Sequence, residues 1–185
     1  MKLAISWTSA ALTVFFALII QELIPPVQAL NGARVLLVPL VFCYAALAMP
    51  TWAMLLFAAF TGFLTDLMSL HVVDGQVEIA LGWSIVYFVF FGLLAHGFQP
   101  AFLRGHWWIY VGLSIFGTCT FLALQYIMIG FRRQGIIFND LVAWRILAPG
   151  LMAAVIAPLG HLAVKQCRYF FPDVSGAAGG YRPGQ

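Results

Sequence analysis

The chain has 185 residues, of which 63% are hydrophobic and only 8% are charged. Soluble domains carry roughly a quarter charged residues, so a soluble fold of this length would lack the polar surface to cover itself. The net charge of +3 comes from nine basic and six acidic residues spread along the chain, which excludes the dense basic patch of a nucleic-acid-binding protein. The three cysteines fit neither a metal-ligand spacing nor a disulfide framework. This composition predicts an integral membrane protein.

Apolar stretches follow one another along most of the chain and predict an all-α polytopic fold with about six transmembrane helices. Their approximate bounds are 3–20, 35–49, 52–70, 80–96, 107–131 and 144–164. Together they form one predicted transmembrane domain over residues 1–171. The first stretch exceeds the usual core of a cleaved signal peptide, which is about 7 to 15 residues, so we expect it to be retained. Residues 172–185 have little apolar content and are predicted to be a disordered tail.

The basic residues near the predicted helix ends indicate the orientation, because cytoplasmic loops carry an excess of lysine and arginine. With a cytoplasmic N-terminus, the basic residues on the inside are Lys2, Arg104, Lys165, Arg168 and Arg182. Those on the outside are Arg34, Arg132, Arg133 and Arg145. We therefore expect both termini to be cytoplasmic.

The third predicted helix carries small and polar residues on one face. Ala58, Gly62 and Asp66 are spaced by four, so they stack above one another. Small residues at this spacing let another helix approach closely, which predicts a packing or partner seam. A buried carboxylate within a membrane helix is costly. Asp66 is thus either a polar lock or ligand contact, or an acid near the interface that is hydrated or bonded to a threonine or serine.

The fifth predicted helix has a second stripe of this kind. Ser114 and Thr118 are spaced by four, and Gly112 lies beside them. We expect these residues to add to the packing or partner seam, with the two hydroxyls forming hydrogen bonds between helices.

Several polar residues fall toward the outer half of the predicted bundle. The candidate outer polar cluster consists of Gln21, Glu22, Arg34, Asp66 and Arg145. These side chains are compatible with an outward-facing cavity and equally with ordinary charged helix ends. No sequence motif of a metalloprotease, a serine hydrolase or a phosphate-binding loop is present. We therefore expect a non-enzymatic protein with no cofactor.

Residues 36–50, LLVPLVFCYAALAMP, form a predicted helical hairpin with the next helix. They are followed by Gly62, three residues, Asp66, and then a polar loop leading to Gly82. This pattern resembles the rod shape-determining protein MreD family, over most of the chain from Arg34 to Val164. The resemblance implies a six-helix fold similar to the substrate-binding subunits of vitamin-type importers, in the bacterial inner membrane with both ends cytoplasmic.

The same resemblance implies a non-enzymatic scaffold of the cell-elongation machinery that serves cell shape and peptidoglycan synthesis. Its partners would be MreC, MreB filaments, and RodA with its penicillin-binding partner. Arg104 and Lys165 could contact anionic membrane lipids or a cytoplasmic partner. The alternative is the substrate-binding subunit of a vitamin-type importer, in which the outer polar cluster would be the ligand pocket.

Overall fold

A computed structural model of the chain describes residues 2–28, 32–68, 72–73, 76–77, 82–132 and 139–170. These residues form helices and one small hairpin, so the predicted all-α class is confirmed. The helices are α1 (Lys2–Leu23), α2 (Val38–Ala48), α3 (Thr51–Met68), α4 (Trp83–Gly97), α5 (Gln99–Leu103), α6 (Trp108–Arg132) and α7 (Asp140–Phe170). The hairpin is an antiparallel pair between α3 and α4, made of β1 (Val72–Val73) and β2 (Gln76–Val77).

Three helical segments are long and apolar enough to cross a membrane: Thr51–Met68, Trp108–Phe131 and Asp140–Leu162. Three further apolar segments are shorter: Trp7–Leu23, Val38–Ala48 and Trp83–Gly97. These six segments correspond in order to the six predicted spans. The structure is thus compatible with a helical membrane protein, whereas a bundle of six spans stays a prediction.

Helix boundaries differ from the predicted ones where local capping decides them. The second helix begins at Val38 and not at residue 35, because Pro39 occupies its first turn. The last helix begins at Asp140 and not at residue 144, because the Asn139 side chain accepts a hydrogen bond from the Asp140 amide at 2.9 Å. The short helix α5 lies where a plain loop was expected. The predicted disordered tail lies outside the described residues.

The core of the bundle is α2, which contacts α1, α3, α4, α5 and α6. Eight of its eleven residues are buried, as expected for a helix that is apolar on every side. The Phe42 ring is fully buried, stacks on Phe57 at 5.8 Å and meets the edge of Phe88 at 4.9 Å. The α2 helix therefore joins the α3–α4 pair to α6.

The outermost helix, α7, packs mainly along α6 and exposes a continuous apolar stripe. The exposed side chains of this stripe are Leu147, Leu151, Val155, Leu159 and Leu162. Their spacing of three or four residues places them on one helix face. A contiguous apolar surface of this kind is unfavourable in water and needs an apolar surrounding.

Candidate functional site

Among the described glycines, Gly62 is the one at which an added Cβ would lie nearest to the backbone of another helix, at the crossing of α3 and α4. A Cβ atom built on Gly62 would lie 2.5 Å from the backbone nitrogen of Ile85 and 2.8 Å from the carbonyl carbon of Ser84. Such distances are far below van der Waals contact, so no side chain fits at this position. Ala58, one turn earlier, is fully buried. The predicted small-residue seam of Ala58 and Gly62 thus faces a neighbouring helix of the same chain.

Asp66 lies one turn beyond Gly62 and is only 3% exposed. Its carboxylate accepts hydrogen bonds from the backbone amides of Gly82 at 2.6 Å and Ser84 at 3.2 Å. These amides belong to the start of α4, whose first N–H groups have no partner within the helix. A carboxylate is the strongest acceptor for such amides, and the helix dipole also favours a negative charge there. Asp66 therefore caps α4 from the neighbouring helix.

The backbone conformation of Gly82 directs the chain into α4 so that the first amides of this helix face Asp66. Gly82 has a φ of 99° and precedes the first residue of α4. Glycine adopts this left-handed region without the steric cost that other residues meet. We call Gly62, Asp66, Gly82 and Ser84 the α3–α4 joint.

The opposite end of the same helix pair is held by a second polar contact. The Thr51 hydroxyl lies 2.8 Å from Nε2 of His96, which places a hydrogen bond between the start of α3 and the end of α4. Close by, the Gln99 amide donates to the Met49 carbonyl at 3.1 Å. The α3–α4 pair is thus tied at both ends, with the Gly62 crossing between them.

Buried hydroxyls accompany the joint. Thr65 donates to the Thr61 carbonyl at 2.8 Å, within α3. The hydroxyl oxygens of Thr61 and Ser84 are buried without a hydrogen-bond partner among the described atoms. The region around Asp66 is therefore the most polar part of the described interior.

The stripe predicted on the fifth span, now α6, divides into two parts. Ser114 and Thr118 are fully buried, but each donates to the carbonyl four residues earlier in its own helix, at 2.7 and 2.8 Å. The Thr118 bond therefore lies within α6, whereas the Ser114 hydroxyl also forms a side-chain hydrogen bond with Cys43 on α2. Gly112 is exposed, and a Cβ there would meet nothing within 4 Å. Gly112 is thus outside any helix contact of the described chain.

The sequence did not predict a further hydrogen bond, which joins α4 to α6. The Tyr87 hydroxyl on α4 donates to the Gly117 carbonyl on α6 at 2.5 Å and lies 3.0 Å from the Thr120 hydroxyl. The Phe91 ring covers Gly117 so closely that a Cβ at Gly117 would collide with it. Gly117 offered a sequence signal as a glycine beside the stripe, whereas Tyr87 gave none within an aromatic-rich helix.

The members of the candidate outer polar cluster whose contacts are described have partners of different kinds. The Gln21 side chain accepts hydrogen bonds from the backbone amides of Leu37 and Val38 at 3.0 and 3.4 Å, so it caps α2. Arg34 and Glu22 form an ion pair at 3.7 Å, with side chains 60% and 49% exposed. An exposed pair of this kind contributes little to stability, about 0 to 1 kcal/mol.

The remaining two members of that cluster are Asp66 and Arg145. Asp66 is engaged in the α3–α4 joint, and Arg145 is exposed on α7. Among the residues with described side chains, no ion pair joins Asp66 to Arg145.

The chemistry that this arrangement supports is helix pairing. Gln21 and Asp66 each reach from the end of one helix to the first amides of the next, and Gly62 allows backbone contact. Within the described part of the chain, no group of three or more histidine, cysteine, aspartate or glutamate residues could hold a metal ion.

Comparison with known proteins places the chain in no family. No family profile matches it, and no curated protein or solved structure is significantly similar. The contacts of the residues described above are therefore the basis for proposing a function.

Proposed function

We propose that the chain is a non-enzymatic scaffold of the bacterial cell-elongation machinery, embedded in the inner membrane with six spans and cytoplasmic termini. In this role it links MreC, MreB filaments, and RodA with its penicillin-binding partner. Cell shape and peptidoglycan synthesis depend on such a link across the membrane.

The observation that carries the proposal is the α3–α4 joint. Gly62, Asp66 and Gly82 belong, with the hairpin over residues 36–50, to the pattern that resembles the MreD family. They meet in one contact although Asp66 and Gly82 are 16 residues apart, which supports a structural role for that part of the pattern. The joint fixes the angle of two helices, which is what a scaffold requires.

The distribution of polar groups supports the same function. The buried carboxylate and the Gln21 amide are bonded to backbone amides, so they hold the fold. The outward surfaces of α6 and α7 are apolar and exposed. Helices within lipid associate through packing of small residues and not through hydrophobic burial. The large apolar side chains of these surfaces therefore suit contact with lipid, and a small residue among them is where a partner helix can approach.

A candidate docking notch lies at Gly112 on α6. Gly112 sits one turn from Trp108 and one turn from Phe116, and both of these large side chains are exposed. A glycine between two aromatic residues leaves a gap that accepts a side chain or backbone from another helix. The span of a bitopic partner such as MreC fits this description.

The test is copurification of MreC with an affinity-tagged chain in mild detergent. Gly112→Leu fills the notch without touching the fold, because a Cβ at this position meets no other atom within 4 Å. We expect it to reduce MreC recovery about fivefold or more, as for an interface hot spot. Gly97→Leu is the matched control, because Gly97 is equally open and lies elsewhere. Equal recovery for both variants would reject the notch, and absence of MreC from the wild-type preparation would reject the scaffold.

The alternative function, a substrate-binding subunit of a vitamin-type importer, is separated by the same preparation. It requires a small molecule that stays bound through purification. Extraction of the purified chain followed by mass spectrometry detects such a ligand. A stoichiometric vitamin-sized ligand without MreC would support the importer subunit and count against the scaffold.

A further inference from the structure

The connection between α4 and α6 is an ordered elbow, residues 98–107, that contains α5. Its backbone closes on itself through hydrogen bonds from the Phe102 amide to the Phe98 carbonyl at 3.1 Å and from the His106 amide to the Ala101 carbonyl at 3.4 Å. Gly105 turns the chain with a φ of 96°, in the left-handed region that glycine tolerates. The elbow therefore holds its side chains in fixed directions.

The inner side of the elbow is anchored to the bundle. The Gln99 side chain donates to the Met49 carbonyl at the end of α2, at 3.1 Å. The Phe102 ring packs edge-on against Tyr44 at 5.9 Å and against His161 of α7 at 6.2 Å. These contacts fix the elbow across the end of the bundle, against both α2 and α7.

The outer side of the elbow combines exposed apolar side chains with a cation. Phe98, Leu103 and Trp107 are 48%, 54% and 50% exposed. Arg104, next to Leu103, is exposed as well. Large apolar and indole side chains beside an arginine are typical of segments that lie in the headgroup layer of a membrane.

Among the side chains that the structure describes, Arg104 carries the one formal charge at this end of the bundle. The acids with described side chains, Glu22, Asp66 and Asp140, all lie at the opposite end, where α1 and α3 finish and α7 starts. Within the described side chains, Arg104 has no carboxylate partner. An exposed cation without an internal partner is available to an anion at the membrane surface.

We propose that the elbow binds the headgroup of an anionic phospholipid, with Arg104 contacting the phosphate and with Leu103 and Trp107 inserted among the upper acyl chains. The arginine fork suits a phosphate group, and the indole favours the same layer. This inference rests on the membrane placement in the proposed function and not on any of the partners named there.

The first test is native mass spectrometry of the purified chain in detergent, titrated with phosphatidylglycerol or phosphatidylcholine. The wild type retains phosphatidylglycerol adducts in preference to phosphatidylcholine. Arg104→Gln reduces that preference about fivefold, the factor that one basic residue near an anionic surface supplies. Arg145→Gln is the matched control, an exposed arginine at the other end of the bundle, and leaves the preference unchanged.

The second test places Trp107 in a bilayer. The chain is reconstituted into phosphatidylcholine vesicles containing equal mole fractions of brominated phosphatidylglycerol or brominated phosphatidylcholine, and tryptophan quenching is measured. The difference between wild type and Trp107→Phe isolates the elbow signal. We expect stronger quenching by brominated phosphatidylglycerol, and loss of this difference in Arg104→Gln.

Equal adducts and equal quenching with the two lipids would overturn the inference and leave the elbow as a surface for a protein partner. So would equal behaviour of Arg104→Gln and Arg145→Gln. A wild type that stays in the membrane fraction but shows no lipid preference rejects the lipid site alone. A wild type that is soluble without detergent rejects the membrane placement, and with it the proposed function.

Discussion

Asp66 joins α3 to the start of α4 through two hydrogen bonds that its carboxylate accepts from backbone amides. A carboxylate within an apolar helix predicts a polar contact, because an unpaired charge there is costly. Its partners are backbone amides 16 and 18 residues further along the chain, at the far side of the β1–β2 hairpin. No side-chain pattern marks a backbone amide as a partner. The sequence could therefore predict that Asp66 is paired, but not with what.

Replacing Asp66 by asparagine tests the cap at constant shape. The two carboxylate oxygens accept from two different amides, whereas an amide side chain has one acceptor oxygen and presents N–H to the other amide. We expect a loss of about 1 to 3 kcal/mol in unfolding free energy. Thermal unfolding in detergent measures it. Asp140→Asn is the control, since Asp140 is exposed. Equal unfolding midpoints for wild type and Asp66→Asn would refute the cap.

Gly62 and Gly112 form a matched pair for a second residue-scale prediction. Alanine at position 62 forces the backbones of α3 and α4 apart, because the new Cβ overlaps backbone atoms that cannot rotate away. Overpacking of this kind costs about 1 to 3 kcal/mol. Alanine at position 112 meets open space and leaves the unfolding midpoint unchanged or slightly raised. A Gly62→Ala chain as stable as Gly112→Ala would contradict the close crossing.

At the scale of helices, the lengths of the apolar stretches predicted the order of the main elements. This worked because the apolar surface of each helix depends only on the residues of that helix. Boundaries depended on caps from distant residues. The start of α2 is set by Pro39 and by the Gln21 side chain from α1. The α5 helix was missed because Pro100 near its start was compatible with a break, while its anchor, the Gln99 contact with Met49, spans 50 residues.

The contact between α4 and α6 gives a prediction at this scale. Tyr87→Phe removes the hydroxyl that donates to the Gly117 carbonyl while keeping the ring in the core. Hydrogen bonds between membrane helices contribute about 0.6 kcal/mol on average, so we expect a small drop in the unfolding midpoint. Thr118→Val is the control, because it removes only a bond within α6. A larger loss in Thr118→Val than in Tyr87→Phe would show that the helix-to-helix bond is not the stabilising one.

For the whole molecule, the contacts assign each helix end to one of two faces. The Thr51–His96, Gln99–Met49 and Phe102–His161 contacts bring the end of α2, the start of α3, the end of α4, the elbow and the C-terminal part of α7 to one face. The Gln21 and Asp66 caps lie at the other face. The sequence predicted this alternation from the order of the apolar stretches. The sequence could not predict which polar groups form hydrogen bonds at each face, because the partners lie on different helices far apart in the chain.

Cysteine labelling in intact cells tests the orientation that this alternation and the basic residues predict. Ala48→Cys lies at the elbow face and Gln28→Cys at the opposite face, and both positions are exposed. A background with Cys119→Ser and Cys167→Ser leaves Cys43, which is buried, as the remaining native thiol. We expect a membrane-impermeant maleimide to label Gln28→Cys in intact cells, and Ala48→Cys only after the membrane is opened. The physical reason is that the positive-inside rule counts lysine and arginine, and the elbow face is predicted to hold five of the nine: Lys2, Arg104, Lys165, Arg168 and Arg182. The reverse labelling pattern would show that the orientation is the opposite of the predicted one. Labelling of both positions in intact cells would contradict the proposal that a membrane separates the two faces.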